Sequence, residues 1–397
     1  PAIARSMIAR FLSSPDQART RSLIAAISCA ALAGCGFGLL MPLVALNLEA
    51  MTGSAAVVGA NAAAAALSTL LATPLIPALM ARTAPHQTVI ICALITAAGF
   101  VLFPAMPDPV IWFVLRFIMG LSVTIIFVAS ETWINQLAKP ESRASLLAVY
   151  ATVLAGGFGS GGLLLSVLGS QGWTPWIAGG VIYALGALPI MILRGPPITP
   201  PSMEESGLKA LLSAARLAPL ALLAGLVFGG LETNVFALMP VYAERIGIAE
   251  RGVGLLVAIG ALGAIALQIP LGKLADRTGR DRTLSGVALS AVILSVAMGL
   301  AGANLWLLIP MVFFFVGASS AFYTIGLAMI GERVQPGALA SANAAFIFAY
   351  GLGSLLGPAL GGVSMDIADP WGLMVAFAAM AGLYFTLSLV SKGRSRH

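Results

Sequence analysis

The chain has 397 residues, 59% hydrophobic and only 9% charged, with 21 Lys and Arg against 15 Asp and Glu for a formal net charge of +6. An ordinary soluble domain carries about 25% charged residues and needs polar cover for its exterior, so a soluble globular protein is excluded. His86 and His397 cannot build a histidine-rich metal site, and Cys29, Cys35 and Cys92 all lie in apolar runs, so neither a metal, a cofactor nor a disulfide framework is expected.

A bilayer-crossing helix needs about 20 apolar residues. Charge-free stretches predict twelve, near 22–48, 54–81, 88–106, 109–136, 143–168, 173–193, 217–242, 252–275, 283–302, 305–331, 338–365 and 370–391. The runs 144–193 and 283–331 exceed one span, and each carries a turn signal, Gly169-Ser170-Gln171-Gly172 and Ala301-Gly302-Ala303-Asn304, so each reads as a hairpin. The 44 glycines suit close packing of membrane helices.

The basic residues test this topology independently. With the N-terminus inside, the cytoplasmic segments hold 18 of the 21 Lys and Arg. The outer loops hold only Arg245 and Arg251, and Arg116 lies within a span. Such a split is what the positive-inside rule gives for a multi-pass inner-membrane protein with both termini cytoplasmic. The positive charge is therefore topological, and no nucleic-acid partner is expected.

The one long polar interval, 194–216, carries Pro196, Pro197, Pro200, Pro201, Glu204 and Glu205. It divides the chain into a cytoplasmic segment 1–21, a six-helix bundle 22–193, a linker 194–216, a second six-helix bundle 217–391 and a cytoplasmic tail 392–397. The halves share landmarks: Met80-Ala81-Arg82-Thr83 matches Ala275-Asp276-Arg277-Thr278, and Gly157-Phe158-Gly159-Ser160 matches Gly351-Leu352-Gly353-Ser354. Duplicated halves of membrane helices are an architecture of secondary transporters, with the substrate site between them near mid-membrane.

Two patterns invite other readings. Leu32-Ala33-Gly34-Cys35 matches a lipoprotein cleavage box, but the apolar run continues to Leu46, where a secreted lipoprotein would turn polar. Gly157-Phe158-Gly159-Ser160-Gly161-Gly162 fits the dinucleotide pattern without a strand before it, so close helix packing is the better reading. No G-x-x-x-x-G-K-[ST] occurs, so the chain has no nucleotide-driven motor of its own.

Between spans eight and nine stands Gly272-Lys273-Leu274-Ala275-Asp276-Arg277-Thr278-Gly279-Arg280-Asp281-Arg282. This resembles the loop signature of the major facilitator superfamily. The resemblance implies an all-α membrane fold of twelve transmembrane helices in two pseudo-symmetric six-helix bundles. It also implies a cytoplasmic latch that closes and releases during switching, here Gly272, Asp276, Arg277, Gly279 and Arg280. The N-terminal copy keeps Arg82 but has Pro77, Ala81 and Ala84 at the matching positions, so Glu131 in span four is the expected partner of Arg82.

Arg116-Phe117-Ile118-Met119-Gly120 in span four is similar to the family's R-x-x-x-G motif. In span eleven Gly353, Gly357, Pro358, Gly361 and Gly362 form a helix-packing motif resembling G-x-x-x-G-P-x-x-G-G, which the antiporter branch normally carries in span five. The whole resembles a bacterial YcaD-like, drug-efflux-like branch.

The resemblance places spans one, four, seven and ten around the cavity. Glu232 lies near the middle of span seven, and a carboxylate at that depth is a functional-site expectation by default. At 1.5 Å per residue Glu232 and Arg116 lie about 15 and about 10 Å below the outer surface, so they are expected to serve proton coupling or substrate binding together. Asn47, Tyr150, Asn234, Tyr242, Ser319, Tyr323 and Tyr350 are further cavity expectations. With no catalytic cluster, the chain is expected not to be an enzyme. It reads as a monomeric secondary transporter that moves a small amphipathic or lipophilic solute by alternating access, with proton-coupled export foremost. Uptake symport or uncoupled passage is the alternative, and a membrane enzyme or receptor a remote one.

Overall fold

The computed structural model describes residues 15–73, 75, 76, 79, 82–137, 143–192, 218–333 and 339–394, and every regular element among them is a helix. The N-terminal bundle comprises α1 (Pro15–Thr52), α2 (Ala55–Ala72), α3 (Pro85–Ala105), α4 (Pro109–Leu137), α5 (Arg143–Leu168) and α6 (Thr174–Ile192). The C-terminal bundle comprises α7 (Pro219–Ala237), α8 (Met239–Arg245), α9 (Glu250–Thr278), α10 (Arg280–Ala301), α11 (Leu305–Ser319), α12 (Ala321–Arg333), α13 (Leu339–Ile367) and α14 (Gly372–Arg394). Twelve stretches among the described residues are long and apolar enough to cross a membrane, the α11–α12 pair counting as one.

Two expected spans are broken. The stretch 217–242 divides at Leu238, because Pro240, in the first turn of the short α8, cannot donate a backbone hydrogen bond. The stretch 305–331 divides at Ser320. The first helix also starts earlier than expected, at Pro15.

Both anticipated turns use backbone that only glycine adopts freely: Gly169 and Gly172 have φ of 73° and 71°, and Gly302 has 56°. Beside Gly302, the Asn304 side chain caps α11 by accepting from the Trp306 and Leu307 amides at 3.1 and 3.3 Å.

The packing repeats between the halves. In the N-terminal bundle α1 packs on α5, α2 on α4 and α3 on α6; in the C-terminal bundle α7 packs on α13, α9 on α11 and α10 on α14. Across the divide α2 meets α13 and α5 meets α9, the two crossings that a twofold relation between the bundles requires.

Small residues make these crossings possible. A Cβ on Gly162 of α5 would lie 2.8 Å from the Gly254 carbonyl of α9, and one on Gly59 of α2 would strike the Pro358 carbonyl of α13. The Gly157–Gly162 run is thus a packing surface against α1 and α9, not a phosphate cradle.

Exposed apolar side chains cover the outer perimeter, among them Val167, Leu300 and Ile367. At one face, where α1 ends and α2 begins, Trp173, Trp306 and Trp371 stand exposed at the starts of α6, α11 and α14. Tryptophan there fits an aromatic belt at a membrane boundary. This face is called the Glu49 face below, and its opposite the Arg280 face.

Candidate functional site

Four-residue spacing puts Phe228, Glu232 and Phe236 on one side of α7, and all three are half-buried while Val227, Leu231 and Val235 are buried. Behind them α7 and α13 approach at glycine-only distance. A Cβ on Gly353 would strike the Leu226 carbonyl, and one on Gly357 would lie 2.9 Å from the Gly230 carbonyl. That approach sets Tyr350 of α13 beside Glu232, and the Tyr350 hydroxyl donates to Glu232 Oε2 at 2.6 Å. Such a charge-assisted bond is among the stronger kinds.

Aromatic rings collar the carboxylate. Phe228 stacks on Tyr350 at 5.8 Å between centroids and lies 5.6 Å from Tyr323 of α12. Tyr323 contacts Tyr350 at 5.9 Å and Phe346 at 5.4 Å.

One turn further along α7, Phe236 meets Phe158 of α5 across the divide at 5.3 Å, and Phe158 meets Phe37 of α1 at 5.5 Å. The row ends where the Arg116 guanidinium lies over the Phe37 ring at 5.7 Å.

The Glu49 face is closed by polar contacts between the bundles. Arg245, at the end of α8, reaches Glu49 of α1 at 2.6 Å, and within its own bundle Asp366 and Asp369 at 3.0 and 2.9 Å. Asp366 also crosses to the first turn of α2, accepting from Ser54 Oγ at 2.7 Å and from the Ala55 and Ala56 amides at 2.9 Å each. A carboxylate at a helix N-terminus meets unpaired amides and the positive end of the helix dipole. On the second crossing Ser166 donates to the Arg251 carbonyl at 2.6 Å, and Ser170 donates to Glu250.

Burial alone would lower the pKa of Arg245, but hydrogen bonds to Glu49, Asp369 and Asp366 outweigh it and raise the value above that of an ordinary arginine. A cation with a raised pKa contributes its full stabilisation below the unfolded value, so Arg245 itself stays charged at every working pH.

The Arg280 face differs. Its ion pairs among the described residues, Arg280–Glu332 at 3.1 Å and Arg333–Asp281 at 2.6 Å, stay inside the C-terminal bundle. Asp276 and Arg277 of the expected latch are exposed and make no ion pair with a described residue, and Arg82 is exposed as well. Gly272 was expected to let two helices touch, yet a Cβ there would meet no described residue within 4 Å. Gly279 has a conformational reason instead: its φ of 92° turns the chain between α9 and α10. The side chain of Glu131, and Pro77, lie outside the described residues.

Of the expected cavity residues, Glu232, Tyr350 and Tyr323 come together. Arg116 does not join them, since no ion pair links it to Glu232 and its Nη2 donates to the Met41 sulfur instead. Asn47 ties the end of α1 to the Leu43 and Ser170 carbonyls at 2.9 and 3.0 Å. Tyr150 bonds Ser130 at 3.2 Å, and Tyr242 donates to the Met298 carbonyl at 3.4 Å. Asn234 and Ser319 are buried in helix packing, Asn234 against Gly361. Gly362 packs its bare backbone on Ala55 of α2. Missed by sequence reasoning were the clasp residues Glu49, Asp366 and Asp369 and the rings of Phe37, Phe158, Phe228 and Phe236. The available signals were the scarcity of outer-loop cations and the four-residue spacing of aromatics about Glu232.

The sequence model of the Major Facilitator Superfamily matches residues 26–249 and again 221–395, one match for each half. The chain belongs to the Major Facilitator Superfamily. It is a multi-pass membrane transporter, not an enzyme. It is 25% identical to the MFS-type transporter YfkF of Bacillus subtilis (strain 168) over 91% of this chain and 90% of that protein. Identity is 30% with an MFS-type transporter of Enterobacter sp. (strain 638), covering 82% of this chain and 84% of the other. With the MFS-type transporter YcaD of Salmonella newport (strain SL254) it is 27%, covering 80% and 82%. The fold is shared with the nucleoside transporter NupG, at a TM-score of 0.76 and 16% identity over 96% of this chain and all of that one. It is shared also with a bacterial homologue of the human lysosomal transporter Spinster, solved inward-facing and unoccupied, at a TM-score of 0.72 and 14% identity over 94% and 96%.

Proposed function

We propose that this transporter moves a small amphipathic or lipophilic solute by alternating access and exports it in exchange for protons, with Glu232 carrying the exchange. The bundles 22–193 and 217–391 are the rocking bodies, joined by the linker 194–216. The observation that carries this reading is the Glu232 carboxylate, held by Tyr350 at 2.6 Å inside a collar of aromatic rings within an apolar span. A half-buried carboxylate can exchange a proton, and the rings around it present apolar surface to a solute body.

The distribution of basic residues supports the reading that the Arg280 face is cytoplasmic: among the described residues Arg19, Arg21, Arg82, Lys273, Arg277, Arg280, Arg282, Arg333 and Lys392 lie at that face, against Arg245 and Arg251 at the other. On that reading the clasp of Arg245 and Asp366 closes the outer side, as in an inward-facing state. The exposed Asp276–Gly279 segment becomes the latch of the opposite state, engaging when the inner ends of the bundles meet. The protein acts in the bacterial inner membrane as a monomer with both ends inside.

The test is flux in proteoliposomes with an imposed pH gradient and an internal pH dye, against a panel of lipophilic and amphipathic solutes. Exchange predicts that adding a carried solute releases protons into one compartment as the solute enters the other, and that Glu232→Gln abolishes this coupled movement. Solute flux indifferent to the gradient in the native protein identifies an uncoupled facilitator, and co-directional movement identifies uptake symport. Full proton-dependent transport by the Glu232→Gln protein contradicts the role assigned to that residue.

A further inference from the structure

Arg116 is 3% exposed, yet no carboxylate among the described residues pairs with it. A guanidinium offers five donors. Here Nη2 is spent on the Met41 sulfur, a weak acceptor, the carbon centre lies over the Phe37 ring, and Nε has no partner. Asn61 of α2 is 2% exposed, and its Nδ2 also lacks a partner. These two side chains line one small, half-open space with room for about one water-sized group, walled otherwise by apolar groups that include Met41, Val44 and Val58, with Ala237 of the other bundle on its remaining side.

A buried charge without a counter-ion costs several kcal/mol, and removing one partner of a buried pair is costly because the other is left uncompensated. Water could satisfy the open donors but not the charge. The walls provide donors and one positive charge, with no negative group to balance them. The room is on the scale of a single water, so it suits one halide ion or one carboxylate head and nothing bulkier.

We propose that Arg116 and Asn61 form a binding site for a single small anionic group, either a chloride ion or the carboxylate of a carried solute, enclosed between α1, α2 and α4 and capped by the end of α7. The site stands apart from the proton-coupling reading, since it needs no titration of Glu232. Because Ala237 belongs to the opposite bundle, the anion is enclosed only while the bundles meet at this level. Separation of the bundles frees it.

The test is thermal unfolding of the purified full chain at constant ionic strength, with MES as the reference anion because its three-oxygen sulfonate head is bulkier than a halide or a carboxylate. Chloride, bromide, acetate and benzoate are titrated in turn. A rise of the midpoint that grows with the logarithm of concentration, reaching about 3 °C at a hundredfold excess over Kd, is expected for at least one of them. Response to halides alone assigns a resident ion. Response to carboxylates, with chloride competing, assigns the acidic end of a solute. Asn61→Leu, close in size to the native residue, should fold and weaken the response at least tenfold, and Arg116→Gln should lose it. Equal midpoints for the native protein in all five anions overturn the proposal, as does an undiminished response in Asn61→Leu. The native titration decides the matter even if Arg116→Gln fails to fold.

Discussion

At the scale of single residues, the chemistry of this transporter concentrates where polar groups are forced into apolar helices. Glu232 is legible in the sequence because a carboxylate inside a span has no innocent place to be. Its partner is not: Tyr350 lies 118 residues away, and only the glycine-to-glycine approach of α7 and α13 brings the hydroxyl to it. Removing that hydroxyl in Tyr350→Phe keeps the ring and deletes one hydrogen bond to a charged group, worth about 1.5–3 kcal/mol. The expected outcome is a tenfold or greater fall in solute-driven proton movement with unchanged yield of folded protein, read from the same pH-dye vesicles. An unaltered rate would place the coupling group elsewhere. Arg116 was also legible as an anomaly, but the pairing with Glu232 suggested by matching depth does not form, because depth along two helices fixes neither helix's rotation.

At the scale of helices, glycines divide by which surfaces they bring together. Gly357 brings α13 against α7 within one bundle, so its contact persists whichever way the bundles rock. Gly254 faces Ser166 and Gly162 of the other bundle, so its contact exists only while the Glu49 face is closed. Gly357→Ala should therefore cost about 1–3 kcal/mol of overpacking and lower the thermal midpoint. Gly254→Ala should lower the midpoint less and instead expose the seam. Labelling of Ser166→Cys by a membrane-impermeant maleimide, with Cys29, Cys35 and Cys92 replaced, reads that exposure as a faster reaction. Equal labelling rates with and without Gly254→Ala would contradict the assignment. The span count and both long hairpins followed from apolar length and turn residues. The breaks at Leu238 and Ser320 did not, since hydropathy averages over a helix and a local break leaves it unchanged.

For the whole molecule, duplication was readable because the landmarks recur in both halves, and the mirrored packing of α1–α5 with α7–α13 is its structural counterpart. Which face is shut was not readable. The loop signature drew attention to the Arg280 face, whereas the inter-bundle ion pair among the described residues lies at the opposite face, where Arg245 gathers Glu49, Asp366 and Asp369 from separate parts of the chain. A clasp of this kind need only bias the equilibrium, as about 1.4 kcal/mol shifts a two-state ratio tenfold. The account rests on the two bundles exchanging closure between their faces. Pulsed electron spin resonance measures this most directly in liposomes, with one nitroxide pair at Gln171 and Ala303 on the Glu49 face and another at Thr83 and Lys273 on the Arg280 face. Alternating access predicts that Arg245→Gln lengthens the first distance and shortens the second. Distances that stay fixed in the variant, or that lengthen together, would contradict it.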